Sequence, residues 1–477
     1  MLTVALFVFS LSFIKADLNY PKCVLANPNI TILNTLNGPV QGECYKLNLF
    51  YPNNITRENN KVLTWLSIPY AKPPIRELRY IGPQPVENWE NPINGTDFPN
   101  DCVQATGDGS EDCLYLNIFA PYSAYEESVI LKDSSALLPV FVWIYGGGFY
   151  FGSTSYYNGG ILSTVGNVIV VTINYRVAGF GFMYINGTDA KGNQALLDQN
   201  LALKWIHNNA ARFGGDKQRI TIAGQSAGSW SVGYHLLFKE SWPYFNNAIL
   251  ESGNPTRIDI DTLLMTKNQA NSIAQRIGAS SFCFDTSNNL LKCLQSVNYT
   301  MLNQQSLGYQ TFPAFVLDSI VFNNKTPMEL IRSGQFKKCS ILTGSNNFEE
   351  LSLTTGEIDS YIGDLQRGYL HALMDALKHR LDIDDYIANK IIKLYVPEDQ
   401  ITDNNVDYFT YFIRMITDYQ YRCPSYNLAE YYSKSGQNAF VYSYSFRRPE
   451  NYYNYPTFDG AAHSGKVFLV IILNTQK

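Results

Sequence analysis

Hydrophobic positions in this chain fall into short unbroken runs and longer interrupted ones, and the two kinds alternate. Val140–Tyr145 and Val168–Ile173 are continuous β-branched and aromatic runs, as expected of strands buried on both faces of a sheet. Between Gly192 and Phe213 the apolar residues Leu197, Leu201 and Trp205 stand at i, i+4 and i+8, a spacing that predicts a helix. Ile220–Ala223 returns to a strand and runs straight into Gly224-Gln225-Ser226-Ala227-Gly228 and a second helical stretch. Ser340–Gly344 and Ala439–Tyr444 read as later strands, with Tyr369–Leu381 helical between them. The order strand, strand, helix, strand, turn, helix predicts an α/β fold whose mostly parallel central sheet carries helices on both faces. No repeat, low-complexity tract or linker interrupts it, so one domain over 17–477 is expected.

Composition narrows the class of molecule. The 477 residues are 45% hydrophobic and 16% charged, which is globular, and a net charge of −5 without a basic cluster gives no reason to expect nucleic acid. Residues 1–14 are almost wholly apolar and precede Lys15-Ala16-Asp17. They are too few to span a bilayer and suit a signal peptide over 1–16. No later segment is long enough for a stable membrane span; Val467–Leu473 has seven apolar residues. Sequons at Asn29, Asn54, Asn94, Asn186, Asn298 and Asn324 agree with export to the secretory lumen or beyond. Eight cysteines fit that compartment. Cys102 with Cys113 and Cys283 with Cys293 would close short loops, and Cys23 with Cys44 is a third candidate pair. Cys339 and Cys423 have no evident partner. Without a CxxC or a paired Cys/His cluster, no metal and no cofactor are expected. No motif encodes an oligomeric state.

Candidate chemistry centres on Ser226. Glycines two before and two after it permit a strained strand-to-helix turn that presents the hydroxyl at a helix N-terminus. Such a serine can attack a carbonyl, given a base, an orienting acid and donors for the oxyanion. Five histidines are available. His207 and His235 lie close to the serine on flanking helices, and His371 and His379 fit a helix surface. His463, among the small residues of Asp459-Gly460-Ala461-Ala462-His463-Ser464-Gly465, can reach across a site, although a surface loop accounts for it equally. Glu349 and Glu350 follow the Ser340–Gly344 strand, where α/β sheets place chemistry, although a solvated acidic pair is the simpler reading. Tyr145-Gly146-Gly147-Gly148-Phe149 leaves the Val140 strand and can aim successive N–H groups at one point, or serve as a plain flexible turn.

Together these segments resemble the type-B carboxylesterase and cholinesterase family of α/β hydrolases. Phe213–Gly228 is similar to its nucleophile signature, and Glu111-Asp112-Cys113-Leu114-Tyr115-Leu116-Asn117-Ile118-Phe119-Ala120-Pro121 to its second signature. Asn174-Tyr175-Arg176, Gly192-Asn193-Gln194 and Glu251-Ser252-Gly253 are further shared blocks. The resemblance implies a serine esterase acting on a small-molecule carboxylic ester. Ser226 would be the nucleophile, His463 the general base and acid, and Glu349 rather than Glu350 the orienting carboxylate. Gly147, Gly148 and Ala227 would form the oxyanion hole, and Ser252 would support the acid and histidine. It also implies the Cys102–Cys113 and Cys283–Cys293 disulfides. The other reading is a non-catalytic cholinesterase-like adhesion, storage or crystal-forming protein, though members of that kind often lack the serine or histidine.

Four departures qualify the resemblance. Position 225 is Gln where Glu is commoner, which removes a negative charge beside the nucleophile. The Cys102–Cys113 loop has ten residues and no tryptophan, so it lacks the indole that binds choline in cholinesterases. Lys466 stands where an acid is usual. Fourteen residues follow His463, where relatives continue for several tens. The expectation is a chain atypical and short after 465, through truncation or an imperfect gene model, with Cys423 deprived of its partner.

Overall fold

The computed structural model describes residues 20–25, 27–47, 60–257, 264–284, 287–308, 315–349, 359–401, 406–445 and 461–463. Among them nine strands share one sheet. We label them β1 (Glu43–Lys46), β2 (Lys61–Pro69), β3 (Tyr115–Pro121), β4 (Leu138–Ile144), β5 (Ile169–Ile173), β6 (Gly215–Gln225), β7 (Asn247–Glu251), β8 (Ser340–Asn346) and β9 (Ala439–Tyr444). Their spatial order is β9-β8-β7-β6-β4-β5-β3-β2-β1. From β5 to β9 every pairing is parallel, and the β3, β2 and β1 edge is antiparallel. The expected α/β-hydrolase architecture is therefore present.

The unbroken apolar runs become the inner strands because helices cover both faces. All five positions of β5 are buried. β6 begins five residues before the expected Ile220, since Gly215 pairs with Leu138 ahead of a bulge. Between the buried Gly215 and Ile220 its residues are polar, and Lys217, Gln218 and Arg219 are exposed, so the hydrophobic pattern carries no trace of it. Helix α1 (Gln194–Asn209) differs in another way. Leu197 and Leu201, which marked the apolar stripe, are only half-buried, whereas Leu196, Leu203 and Ile206 are fully buried. Asp198 and Gln199 share that buried side because each has partners there: Asp198 takes a bidentate pair from Arg176 (2.8 and 2.6 Å), and Gln199 donates to Ser231 (3.0 Å).

Helices α2 (Ala227–Leu237) and α3 (Lys267–Ser280) follow β6 and β7 along the chain. Helices α4 (Leu370–Leu381), α5 (Asp385–Tyr395) and α6 (Tyr408–Thr417) build an apolar cluster of their own around Leu373, Leu377, Ile392, Phe412 and Ile416. Helix α7 (Cys423–Lys434) packs on β8 and β9. His371 and His379 lie exposed on α4. Disulfides join Cys102 to Cys113, Cys283 to Cys293, and Cys23 to Cys44, while Cys339 is a buried free thiol and Cys423 an exposed one. Among the described residues no helix is long and apolar enough to cross a membrane.

Candidate active site

Ser226 stands between β6 and α2 with φ 55° and ψ −123°, a conformation that costs a side chain of this kind about 1–3 kcal/mol. The surrounding backbone enforces it. The Ser226 N–H donates to the Glu251 carbonyl at the end of β7 (2.9 Å), and the Ser226 carbonyl accepts from the Trp230 N–H (2.9 Å). A Cβ at Gly228 would lie 1.9 Å from the Ile144 carbonyl oxygen, and one at Gly224 would lie 2.5 Å from Gly228. The first turn of α2 thus presses on the ends of β4 and β6 at a distance only glycine allows. Ser226 itself is half-buried.

The acid and the imidazole arrive from elsewhere in the chain. Glu349 leaves the end of β8, two strands from β6, and is fully buried. Its Oε1 accepts from the Ser252 hydroxyl and the Asn346 N–H, both at 2.5 Å. Its Oε2 lies 2.7 Å from His463 Nδ1. The imidazole is 7% exposed. Residues 461–463 are tied to the same loop: the Ala461 N–H donates to Asn347 Oδ1 (2.8 Å), the Phe348 N–H to the Ala461 carbonyl (3.1 Å), and Asn346 Nδ2 to the Ala462 carbonyl (2.5 Å). With the Ser252 hydroxyl and the Asn346 N–H on Oε1, Oε2 is left to accept from an Nδ1–H of the imidazole. On the other side, Nε2 lies 3.1 Å from the Gln225 amide nitrogen, so among the described residues its polar neighbour is Gln225.

The glycine loop lies against the serine. A Cβ at Gly146 would come within 3.0 Å of Ser226 Cβ. Gly147 and Gly148 have φ of 123° and 63°, and among the described residues their N–H groups, like that of Ala227 at the start of α2, donate no hydrogen bond. Tyr145 and Tyr175 hold the base of this loop. Their rings stack at 4.4 Å, and each hydroxyl donates to the other's carbonyl (3.0 and 2.7 Å). Burial pushes both phenols well above their usual range, so they remain neutral donors.

The structure therefore brings together Ser226, Gly147, Gly148, Ala227, Ser252, Glu349 and His463. Glu350 and Lys466 lie outside the described residues, as do Asn54 and the 1–16 segment. Asn29, Asn94, Asn186, Asn298 and Asn324 are all exposed. The Cys102–Cys113 loop folds into a tight turn with Ser110 N–H on the Asp101 carbonyl (2.8 Å), and Glu111 within it is held by Arg79 (2.5 and 2.7 Å). Three contributors escaped the sequence reading: Asn346, Tyr421, whose ring stands 5.6 Å from the imidazole, and the Gln225 contact with His463. Position 225 carried a signal, being the strand residue just before the nucleophile and Gln where the family commonly has Glu.

Known proteins are similar to this chain over most of its length. A family model described as the carboxylesterase family matches residues 29–475. Acetylcholinesterase 1 of Caenorhabditis briggsae is 30% identical over 455 residues, which is 87% of this chain and 72% of that protein. The acetylcholinesterase of Bungarus fasciatus is 32% identical over 441 residues (86% and 70%), and that of Electrophorus electricus 36% over 350 residues (68% and 52%).

Proposed function

The chain belongs to the carboxylesterase family and so to the serine ester hydrolases, and from that premise we propose that Ser226, His463 and Glu349 hydrolyse small to medium carboxylic esters through an acyl-enzyme. The observation that supports this reading is the buried 2.7 Å contact between Glu349 and His463 Nδ1, which leaves the other imidazole nitrogen against Gln225, the residue before Ser226. Ser226 Oγ attacks the ester carbonyl and His463 Nε2 takes its proton. The oxyanion is received by the N–H groups of Gly147, Gly148 and Ala227, each donor being worth about 2.7–4 kcal/mol in such sites. The imidazolium then protonates the departing alcohol, and water repeats the sequence on the acyl-enzyme, returning the proton to Ser226. These steps need no metal and no cofactor.

Uncharged esters suit the site better than choline esters. Position 225 contributes no negative charge, and the 103–112 loop offers no aromatic face for a quaternary ammonium. Three disulfides fit an oxidising compartment, and the exposed sequons suit a secreted glycoprotein. A fluorophosphonate probe should label the wild type and not Ser226→Ala, which should lose hydrolysis of short-chain nitrophenyl esters by about 10⁴-fold or more. Equal labelling of the two proteins, or none of either, sinks the assignment.

A further inference from the structure

Gln225 is 4% exposed, and its amide nitrogen meets the imidazole of His463 at Nε2, 3.1 Å away. Glu349 accepts at Nδ1, so a neutral imidazole carries its proton there and offers only a lone pair at Nε2. Of the two ends of the Gln225 amide, only the N–H end can satisfy that lone pair. The amide oxygen lies beside Gly146, where a Cβ would approach it to 3.1 Å. This same lone pair is the acceptor that the Ser226 proton requires. Gln225 and Ser226 are consecutive, one the last residue of β6 and the other at the turn, so the amide that holds Nε2 is next in the chain to the hydroxyl that must deliver it a proton.

We propose that Gln225 is a positioning residue that occupies His463 Nε2 in the substrate-free enzyme, so that catalysis requires Nε2 to exchange Gln225 for Ser226. The proposal rests on the ester-hydrolase reading and adds a step before the chemistry. It also gives position 225 a specific consequence. A carboxylate there would present Nε2 with an acceptor, where the amide presents a donor. Among the described residues, the groups that face the imidazole are Glu349 from the end of β8, Gln225 from β6 and the Tyr421 ring from the π-helical segment Asp418–Arg422 before α7. On the far side of the Glu349 loop, the Arg414 guanidinium stands 5.5 Å over the Phe348 ring.

The test compares wild type with Gln225→Met, which keeps the bulk and removes the donor, and Gln225→Glu. Fluorophosphonate labelling and nitrophenyl ester hydrolysis are followed from pH 5 to 9. With the competitor gone, Gln225→Met should label about fivefold faster on its plateau, the worth of one ordinary hydrogen bond. Its acid limb should move up by about half a pH unit, and that of Gln225→Glu by about one unit or more. Loss of rate in both variants with the limbs unmoved would show a purely structural role and overturn the proposal. Should Gln225→Met fail to fold, Gln225→Asn substitutes for it, its amide being one carbon too short to reach Nε2. A ¹⁵N titration of the imidazole, assigned with His463→Ala, separates this proposal from the ester reading. If wild type takes no probe, the ester reading fails; an Nε2 signal indifferent to Gln225→Met overturns the exchange step on its own.

Discussion

Ser226 is held by backbone. Its strand pairs on both sides, with Gly224 opposite Ile144 of β4 and Leu250 of β7, and its own N–H and carbonyl are both engaged. Ala227, Val232, Ile144 and Leu250 around it belong to the main apolar core of the sheet. Glu349 and His463 are held by side chains. The Ser252 hydroxyl and the Asn346 and Asn347 side chains supply contacts to the loop and to residues 461–463, and Phe348 and Ala462 sink into the separate cluster of α4, α5 and α6. The nucleophile is thus fixed by the path of the chain through the sheet, and the base by a polar network seated on a helical annex. Damage to the first half should appear as lost fold, and damage to the second as lost chemistry with the fold intact.

The largest expected effect lies in the second half. Glu349→Gln keeps the volume and can still accept from Ser252 and Asn346, but it sets an amide against the imidazole and favours the wrong tautomer. By the behaviour of buried triad acids, turnover should fall about 10³- to 10⁴-fold, while the urea midpoint stays close to wild type. Glu350→Gln should change turnover far less. Matching losses in the two variants would overturn the choice of Glu349.

Gly228→Ala should reverse that pattern. Its methyl would lie 1.9 Å from the Ile144 oxygen, in backbone that cannot give way without parting β4 from α2. The expected cost is roughly 3 kcal/mol or more of stability, in the range of severe overpacking. It should be read as a lowered denaturant midpoint with the activity of whatever folds lost in step. An unchanged midpoint would show that the sheet tolerates movement at the elbow, and the contrast between the two halves would lose its basis.

The same contrast explains what the sequence disclosed. The nucleophile half is a local matter: strand, turn and helix are contiguous between Gly215 and Leu237, so hydrophobic pattern and glycine spacing gave both their order and the serine at their junction. The strand Ala439–Tyr444 was legible for the same reason, and its observed bounds coincide with the expected ones. The acid–base half is non-local. Its 114-residue separation from Glu349 to His463 leaves no periodic trace, and only likeness to a family singled out those two residues among other acids and histidines. Asn346 was hidden because a polar residue at an inner strand end looks like ordinary strand termination; Gln225 was noted for its missing charge, but its contact with His463 spans 238 residues and leaves no local trace. The half-buried stripe of Leu197 and Leu201 misled in the opposite direction: an inner helix buries polar residues when ion pairs and amides are available to meet them, as Arg176 meets Asp198.

Acid provides the mildest way to separate the two halves, because a second imidazole lies in the last turn of the helix that follows the nucleophile. His235, on α2, is fully buried between the Ser241 hydroxyl at Nδ1 (2.8 Å) and the Gln199 side-chain oxygen at Nε2 (3.0 Å). Gln199 donates onward to Ser231, so its oxygen must accept from Nε2–H, which leaves Nδ1 to accept from Ser241. The network is satisfied only by the neutral ring, and burial pushes the imidazole down to about 3 from an ordinary 6.5. The unfolded chain then binds a proton that the folded chain refuses at every pH between those values. Stability is complete above about pH 6.5 and falls as acid is added, by about 2 kcal/mol at pH 5. His235→Gln, which cannot protonate, should flatten that slope even if its overall stability is lower. Amide exchange should show the acid loss concentrated in α2 and the end of β6 rather than in α4 to α6. Loosening that began in the helical cluster, or a slope unaltered by His235→Gln, would place the acid-sensitive group in the other half.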